Sequence, residues 1–231
     1  MILRRLVLLG TRILPDWLKG LLGRSIDWFL TFINPPGTFL FRNSKLRYVY
    51  HVTWLNERTV EVPIALNELA NHSGQEILEV GNVLHHYIQV DHDVLDKYEK
   101  AVGVINQDVV DFHPDRSYGL IISISTMEHV GWDEEPKEPC KVLCALSNLR
   151  GLLEPSGVMM ITVPVGWNTE LDHFIDSGEL GQAEIYALKR VSTKNEWREC
   201  SYCEARGTPY NFKKLRANAI FVIYMTQALA C

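Results

Sequence analysis

Tyr118-Gly119-Leu120-Ile121-Ile122-Ser123-Ile124-Ser125 is the stretch that decides the fold. A strand with one wet face alternates apolar and polar residues. This run barely alternates, which is the pattern of a strand covered on both faces, as in a parallel sheet sandwiched between helices. Upstream, Ile77-Leu78-Glu79-Val80-Gly81 reads as a second short buried strand followed by a turn. A third strand lies within His92 to Tyr98, centred on Val94 and Leu95, and a fourth spans Val102 to Ile105. Downstream, Val142, Leu143, Leu146, Leu149 and Leu153 recur at helical spacing between Glu138 and Leu153, and Pro155-Ser156-Gly157 reads as the stop. Val158 to Val163 is the next strand, ending at Pro164. Ala183 to Arg190 and Ala219 to Met225 complete the set. Strands alternating with helices predict an α/β domain with a doubly wound, mostly parallel sheet and helices on both faces.

The chain has 231 residues, 47% of them apolar and 22% charged, with a net charge of −5. A chain of this length buries enough surface to fold without disulfides or metal. The composition excludes a disordered or collagen-like chain and a polytopic membrane protein, and the charge argues against a general nucleic-acid binder. The charge is unevenly placed: residues 1–50 carry eight Lys/Arg against two acids, or +6, and the remainder balances at −11. Three parts follow: a basic amphipathic helical extension over 1–36, an irregular or helical arm over 37–74 that covers a cleft, and the main domain over 75–231. Trp17, Leu18, Leu21, Leu22, Ile26, Phe29, Leu30 and Ile33 form a helical stripe in the extension. Such a stripe caps a protein body or lies in a membrane interface, so peripheral membrane contact is one expectation for residues 1–36. No window is long and apolar enough to span a bilayer, and no signal-peptide pattern is present. Pro63 is expected to interrupt the arm, leaving a short helix from Ile64 to Ala70.

Five cysteines, an odd number, suit a reduced, cytoplasmic chain. Cys140 with Cys144 and Cys200 with Cys203 have metal-compatible spacing, but nothing local resembles a zinc ribbon, and His85-His86 are neighbours that face different ways on a helix. No metal is expected.

In open α/β sheets, ligands bind beyond the carboxyl ends of the strands, where strand order reverses. Candidate residues are therefore the strand ends. Gly81 permits a strained turn and close approach of a ligand to the backbone, and Asn82 after it tolerates left-handed geometry. Asp96 stands 17 residues beyond Glu79, where a carboxylate can accept both hydroxyls of a ribose. Asp91, Asp93 and Glu99 lie close enough to compete for that role. Asn106-Gln107-Asp108 follows the next strand, and there an Asp can accept an exocyclic amine. Ser125-Thr126-Met127-Glu128-His129 places polar groups beside the same crevice. His129, with Glu128, is the candidate general base because imidazole titrates near neutrality. Glu57, Arg58 and Glu61 either reach over the cleft or form a surface ion-pair cluster. Asn195, Trp197, Tyr210 and Asn211 fall in a long insertion before the last strand, a common place for specificity.

These pieces, in this order, resemble the class I S-adenosylmethionine-dependent methyltransferases. The resemblance runs through Ile77 to Gly81, Asp96, Gln107-Asp108-Val109-Val110-Asp111-Phe112, Tyr118 to Val130, and Leu152 to Gly157 before a strand ending in Pro164. It covers about residues 75–165. It implies a Rossmann-like seven-stranded sheet with S-adenosyl-L-methionine across its carboxyl edge. Carried over, Glu79, Gly81 and Asn82 approach the methionine part, Asp96 binds the ribose, Gln107, Asp108 and Val109 receive the adenine, and Ser125 walls the sulfonium. The implied activity is methylation of a small-molecule acceptor, such as a sugar or a lipid-linked compound. One departure stands out: where the family has a three-glycine loop, this chain has Gly81-Asn82-Val83-Leu84-His85. His85, His86 and Tyr87 then crowd the cofactor region or line the substrate side. The altered loop leaves open a non-catalytic cofactor-binding or membrane-associated scaffold. A nicotinamide-dependent oxidoreductase lacks support, because the G-x-G-x-x-G fingerprint is absent.

Overall fold

The computed structural model describes residues 37–48 and 56–227. The amphipathic stripe of 1–36, the segment around Trp54 and Cys231 lie outside the described residues. None of the described helices is long and apolar enough to cross a membrane.

The sheet has eight strands in the order β5-β4-β3-β6-β7-β10-β8-β9. The parallel part comprises β3 (Ile77–Val80), β4 (Asp93–Leu95), β5 (Val104–Ile105), β6 (Tyr118–Ile124) and β7 (Leu153–Pro164). β10 (Ala219–Thr226) runs antiparallel to both β7 and β8 (Glu184–Arg190). β9 (Trp197–Cys200) adds an edge beside β8, so the sheet has one strand more than the seven expected. Strand order reverses between β3 and β6, since β4 and β5 lie outside β3 while β7 follows β6 on the other side.

The apolar run at 118–125 reads as it does because β6 is buried along its whole length. Ile121 joins a core with β7, β10, α2 (Lys141–Gly151) and α3 (Thr169–Ser177) on one face. Leu120, Ile122 and Ile124 join a second core on the other face. That face is covered by α1 (Arg58–Asn71) and by a hairpin of β1 (Thr38–Phe41) and β2 (Ser44–Arg47). The hairpin is fastened to the far edge of the sheet: Tyr48 Oη accepts the Trp197 N–H at 3.0 Å.

Two sequence expectations about the helices need correction. Pro63 lies inside α1 rather than interrupting it. An internal proline costs roughly 3 kcal/mol, but Val60, Val62 and Ile64 are at most 1% exposed. Burying three such side chains returns about 1.5–3 kcal/mol each, which outweighs the lost N–H. Likewise, Pro155-Ser156-Gly157 does not stop α2. The helix ends at Gly151, and β7 already begins at Leu153, with an irregularity between the Tyr118 and Leu120 pairings that absorbs the extra residues.

Candidate functional site

At the reversal point, the ends of four adjacent parallel strands surround a cavity of about 350 Å³. Val80 and Gly81 come from β3, Leu95 and Asp96 from β4, Gln107 to Val109 follow β5, and Thr126, His129 and Val130 follow β6. Six of the ten candidate residues thus meet here: Gly81, Asp96, Gln107, Asp108, Val109 and His129. Glu79, Asn82, Ser125 and Glu128 do not line this cavity, and neither do His85 and Tyr87.

Glu79 is fully buried behind the loop. Its Oε1 accepts the N–H groups of Val83 at 2.9 Å and Leu84 at 2.7 Å, and its Oε2 faces His92 Nε2 at 3.2 Å. Its carboxylate thus holds the loop after β3, the part that the resemblance gives to the methionine moiety. The shortened loop closes in a 3-10 turn, Leu84–His86. Asn82 also serves the loop: its N–H donates to Asp96 Oδ2 at 3.0 Å, its Nδ2 to Glu99 Oε1 at 2.8 Å, and its Oδ1 meets His85 Nδ1 at 2.6 Å. Gly81 has φ +90°, and a Cβ there would sit 2.1 Å from Thr126 Oγ1. The one glycine kept from the expected three is therefore the one that geometry demands.

Asp96 lines the cavity with its carboxylate already shaped. Besides the Asn82 N–H, its Oδ1 accepts the N–H groups of Tyr98 at 2.9 Å and Glu99 at 2.7 Å. Oδ1 thus accepts two hydrogen bonds and Oδ2 one, so Oδ2 keeps one acceptor position for a ligand. Glu99 lines the same wall. Asp108 differs from the expectation of a free amine acceptor. Its Oδ2 lies 2.6 Å from Lys141 Nζ and 2.8 Å from Lys97 Nζ. Glu134 closes the group, 2.6 Å from Lys141 and 3.0 Å from Lys97. Burial works against ionisation of Asp108, but the hydrogen bonds from Lys141 and Lys97 outweigh it and hold the carboxyl at about 2. This ring of two lysines and two acids stiffens the rim; no signal short of the fold could have joined Lys97 to Lys141. Gln107 donates its amide to the Asp111 carbonyl at 2.5 Å, which shapes the turn after β5.

Beyond the cavity, a second set of residues gathers at the ends of β6 and β7. Ser125, with φ +39°, donates its hydroxyl to Glu61 Oε1 at 2.6 Å, and Thr162 Oγ1 donates to the same oxygen at 2.8 Å. Arg58 Nη1 bonds the Ile124 carbonyl at 2.8 Å and lies 3.2 Å from Glu61 Oε2. Glu57 Oε2 accepts the Ala217 N–H at 2.8 Å. The Glu57-Arg58-Glu61 group therefore reaches the strand ends instead of lying on the surface. Asn195 and Trp197 of the insertion stiffen the edge: Trp197 Nε1 donates to Asn195 Oδ1 at 2.9 Å, and Asn195 Nδ2 to the Asn56 carbonyl at 2.8 Å.

His129 stands between the two sets. It lines the cavity, and its ring meets Trp167 edge-on at 5.3 Å. Nδ1 lies 2.5 Å from Asp133 Oδ2, and Nε2 is 3.7 Å from Glu128 Oε1, beyond hydrogen-bond reach. With Asp133 accepting the Nδ1 proton, Nε2 is the basic nitrogen. Glu128 is buried, and burial pushes its carboxyl well above the usual range, with Glu61 adding to the effect.

Trp167 is positioned from below by Gly166, which has φ +80° and lies so close to the 208–210 loop that a Cβ would come within 2.7 Å of the Thr208 carbonyl. Asp172 accepts the Gly166 N–H at 2.8 Å. Burial raises its carboxyl to about 6, against the lowering effect of that bond. A raised folded-state value means a stability contribution that is full below the unfolded value near 3.8 and is lost as pH climbs through 6. Asp172→Asn should therefore gain on the parent chain by about 1–3 kcal/mol between pH 4 and pH 8 in urea unfolding. A difference that does not change with pH would show that Asp172 is ionised without penalty.

No family model and no curated protein matches the chain. Among solved structures, it is similar to the N-methyltransferase NodS from Bradyrhizobium japonicum in complex with S-adenosyl-L-homocysteine, at 11% identity over 75% of this chain and 89% of that one, with a TM-score of 0.45. It is also similar to an S-adenosylmethionine-dependent methyltransferase from Clostridium acetobutylicum, at 8% identity over 78% and 93%, with a TM-score of 0.47. A TehB-like methyltransferase from Corynebacterium glutamicum matches at 16% identity over 71% and 95%, with a TM-score of 0.39. Identities this low carry no residue roles across.

Proposed function

We propose that this chain is an S-adenosylmethionine-dependent methyltransferase acting on a small molecule. One observation carries the reading: the cavity of about 350 Å³ lies at the strand-order reversal and is walled by the turn at Gly81, with φ +90°, and by the preset carboxylate of Asp96. That volume and that mix of apolar walls with a few polar groups suit a nucleoside. Gly81 would admit the ligand to the backbone, Asp96 with Glu99 would take the ribose hydroxyls, and Val109 and Val130 would sandwich the base. Bound there, S-adenosylmethionine would supply a sulfonium methyl group for transfer to a nucleophile. The protein's share is alignment, exclusion of water and removal of the nucleophile's proton. His129 Nε2, with Asp133 on its other nitrogen, would take that proton.

Calorimetry of the purified chain with S-adenosylmethionine and S-adenosylhomocysteine tests the reading. Both should bind, and Asp96→Asn should weaken them by at least about tenfold, the equivalent of about 1.4 kcal/mol. The Asn amide would turn a donor toward an N–H donor and loosen the wall. Absence of binding by the parent chain would end the proposal.

A further inference from the structure

Three acids converge beyond the cavity, and two of them are compensated. Glu61 has Arg58 and two hydroxyls. Glu57 holds the Ala217 N–H, and its charge also reaches Arg190. Glu128 is less well compensated: its nearest cationic group is His129 Nε2, 3.7 Å from Oε1. It is 2% exposed, and its Oε2 is buried without a hydrogen bond among the described residues. Trp167 Nε1 is buried and unpartnered in the same way.

The surroundings of Glu128 are aromatic. Asn168 ties the Glu128 carbonyl to the start of α3 through Nδ2 at 2.9 Å, which sets Trp167 beside the 127–129 turn. Trp167 packs against Tyr210 at 4.9 Å and Phe212 at 5.6 Å, and Tyr210 meets Phe212 at 5.0 Å. Phe212 is 58% exposed, so the cluster opens to solvent. Burial raises the Tyr210 phenol, and the charges of Glu57, Glu128 and Glu61 add to the effect. His129 links the cluster to the nucleoside-sized cavity.

We propose that this cluster is an acceptor subsite for an amine, with the nitrogen at Glu128 and the carbon skeleton against Trp167, Tyr210 and Phe212. The assignment deepens the methyltransferase reading and rests on it only for the fate of the ligand. An alcohol could only share a hydrogen bond with the protonated carboxyl. An ammonium supplies the charge, the N–H donors and an attraction to ring faces. A binding ammonium meets Glu128 as carboxylate, so the carboxyl proton leaves to solvent. The ammonium then gives one proton to His129 Nε2, leaving a neutral amine with a free lone pair and a protonated imidazole. An amino sugar or a small aromatic amine has this chemistry.

The test uses matched probes on the full chain: benzylamine against benzyl alcohol, cyclohexylamine against cyclohexanol, and glucosamine against glucose. Binding is read by saturation-transfer NMR and calorimetry, with and without S-adenosylhomocysteine. At least one amine should bind about tenfold more tightly than its alcohol, and calorimetry in buffers of different ionisation heat should show proton release. Glu128→Gln should erase the preference while leaving S-adenosylhomocysteine binding intact, and Trp167→Leu should weaken amine and alcohol alike. Equal binding within every pair, no binding by any amine, or an unchanged preference in Glu128→Gln overturns the subsite. Amine selectivity without S-adenosylhomocysteine binding would instead keep the subsite and remove the methyltransferase reading.

Discussion

Gly81→Ala will lose about 2–4 kcal/mol of stability and weaken S-adenosylhomocysteine binding on the order of a hundredfold. The residue has φ +90°, a conformation that alone costs a side chain about 1–2 kcal/mol. The added methyl then meets Thr126 at three atoms, the nearest at 2.1 Å. Neither side can give easily. The Gly81 N–H is bonded to the Leu95 carbonyl at 2.8 Å, and Thr126 Oγ1 donates to the Ile124 carbonyl at 3.1 Å. The loop has to move, and Gly81 and Thr126 are both walls of the cavity. Pairing the change with Thr126→Ala separates the two costs: the steric part is relieved and the backbone part stays. Urea unfolding and calorimetry on the four proteins check this. If Gly81→Ala binds the nucleoside like the parent, the β3 loop is not part of the binding wall.

That glycine also shows what the sequence could and could not reveal. The strands were legible because burial on both faces leaves an apolar run, and β6, β7 and β10 carry such runs. The strand-end residues Gly81, Asp96 and Asp108 were legible as positions because strand ends become site walls whenever the sheet is parallel. Their partners were not. Glu79 sits next to the turn in sequence, yet whether its carboxylate faces a ligand or the Val83 and Leu84 N–H groups depends on a loop too short to have a pattern. Asp108 became half of an ion-pair ring only because α2 brings Lys141 across from a distant part of the chain. Glu61 read equally as a cleft residue or a surface acid, because Arg58 at i−3 has the usual spacing of a solvated helix pair. Its burial comes from Ser125 and Thr162, both far away in sequence. Trp167 and Tyr210 meet only through the fold.

Glu128 supplies the second large effect, in the opposite direction. Glu128→Met should make the protein more stable at pH 8 by about 1–3 kcal/mol, because it replaces a buried, unsatisfied carboxyl oxygen with apolar volume of similar shape. Burial raises the Glu128 carboxyl, with Glu61 and Glu57 opposing its ionisation and Arg58 favouring it; His129 Nε2 stands 3.7 Å away. A raised folded-state carboxyl contributes stability that is present in acid and drains away as pH rises. The advantage of methionine should therefore be smaller at pH 4 than at pH 8. The same variant should lose selective amine binding completely. A chain that becomes sturdier by discarding a residue is keeping that residue for something other than folding. The contrary result, a Glu128→Met protein less stable than its parent at pH 8, would mean that Oε2 has a stabilising partner and that no counter-charge is wanting there.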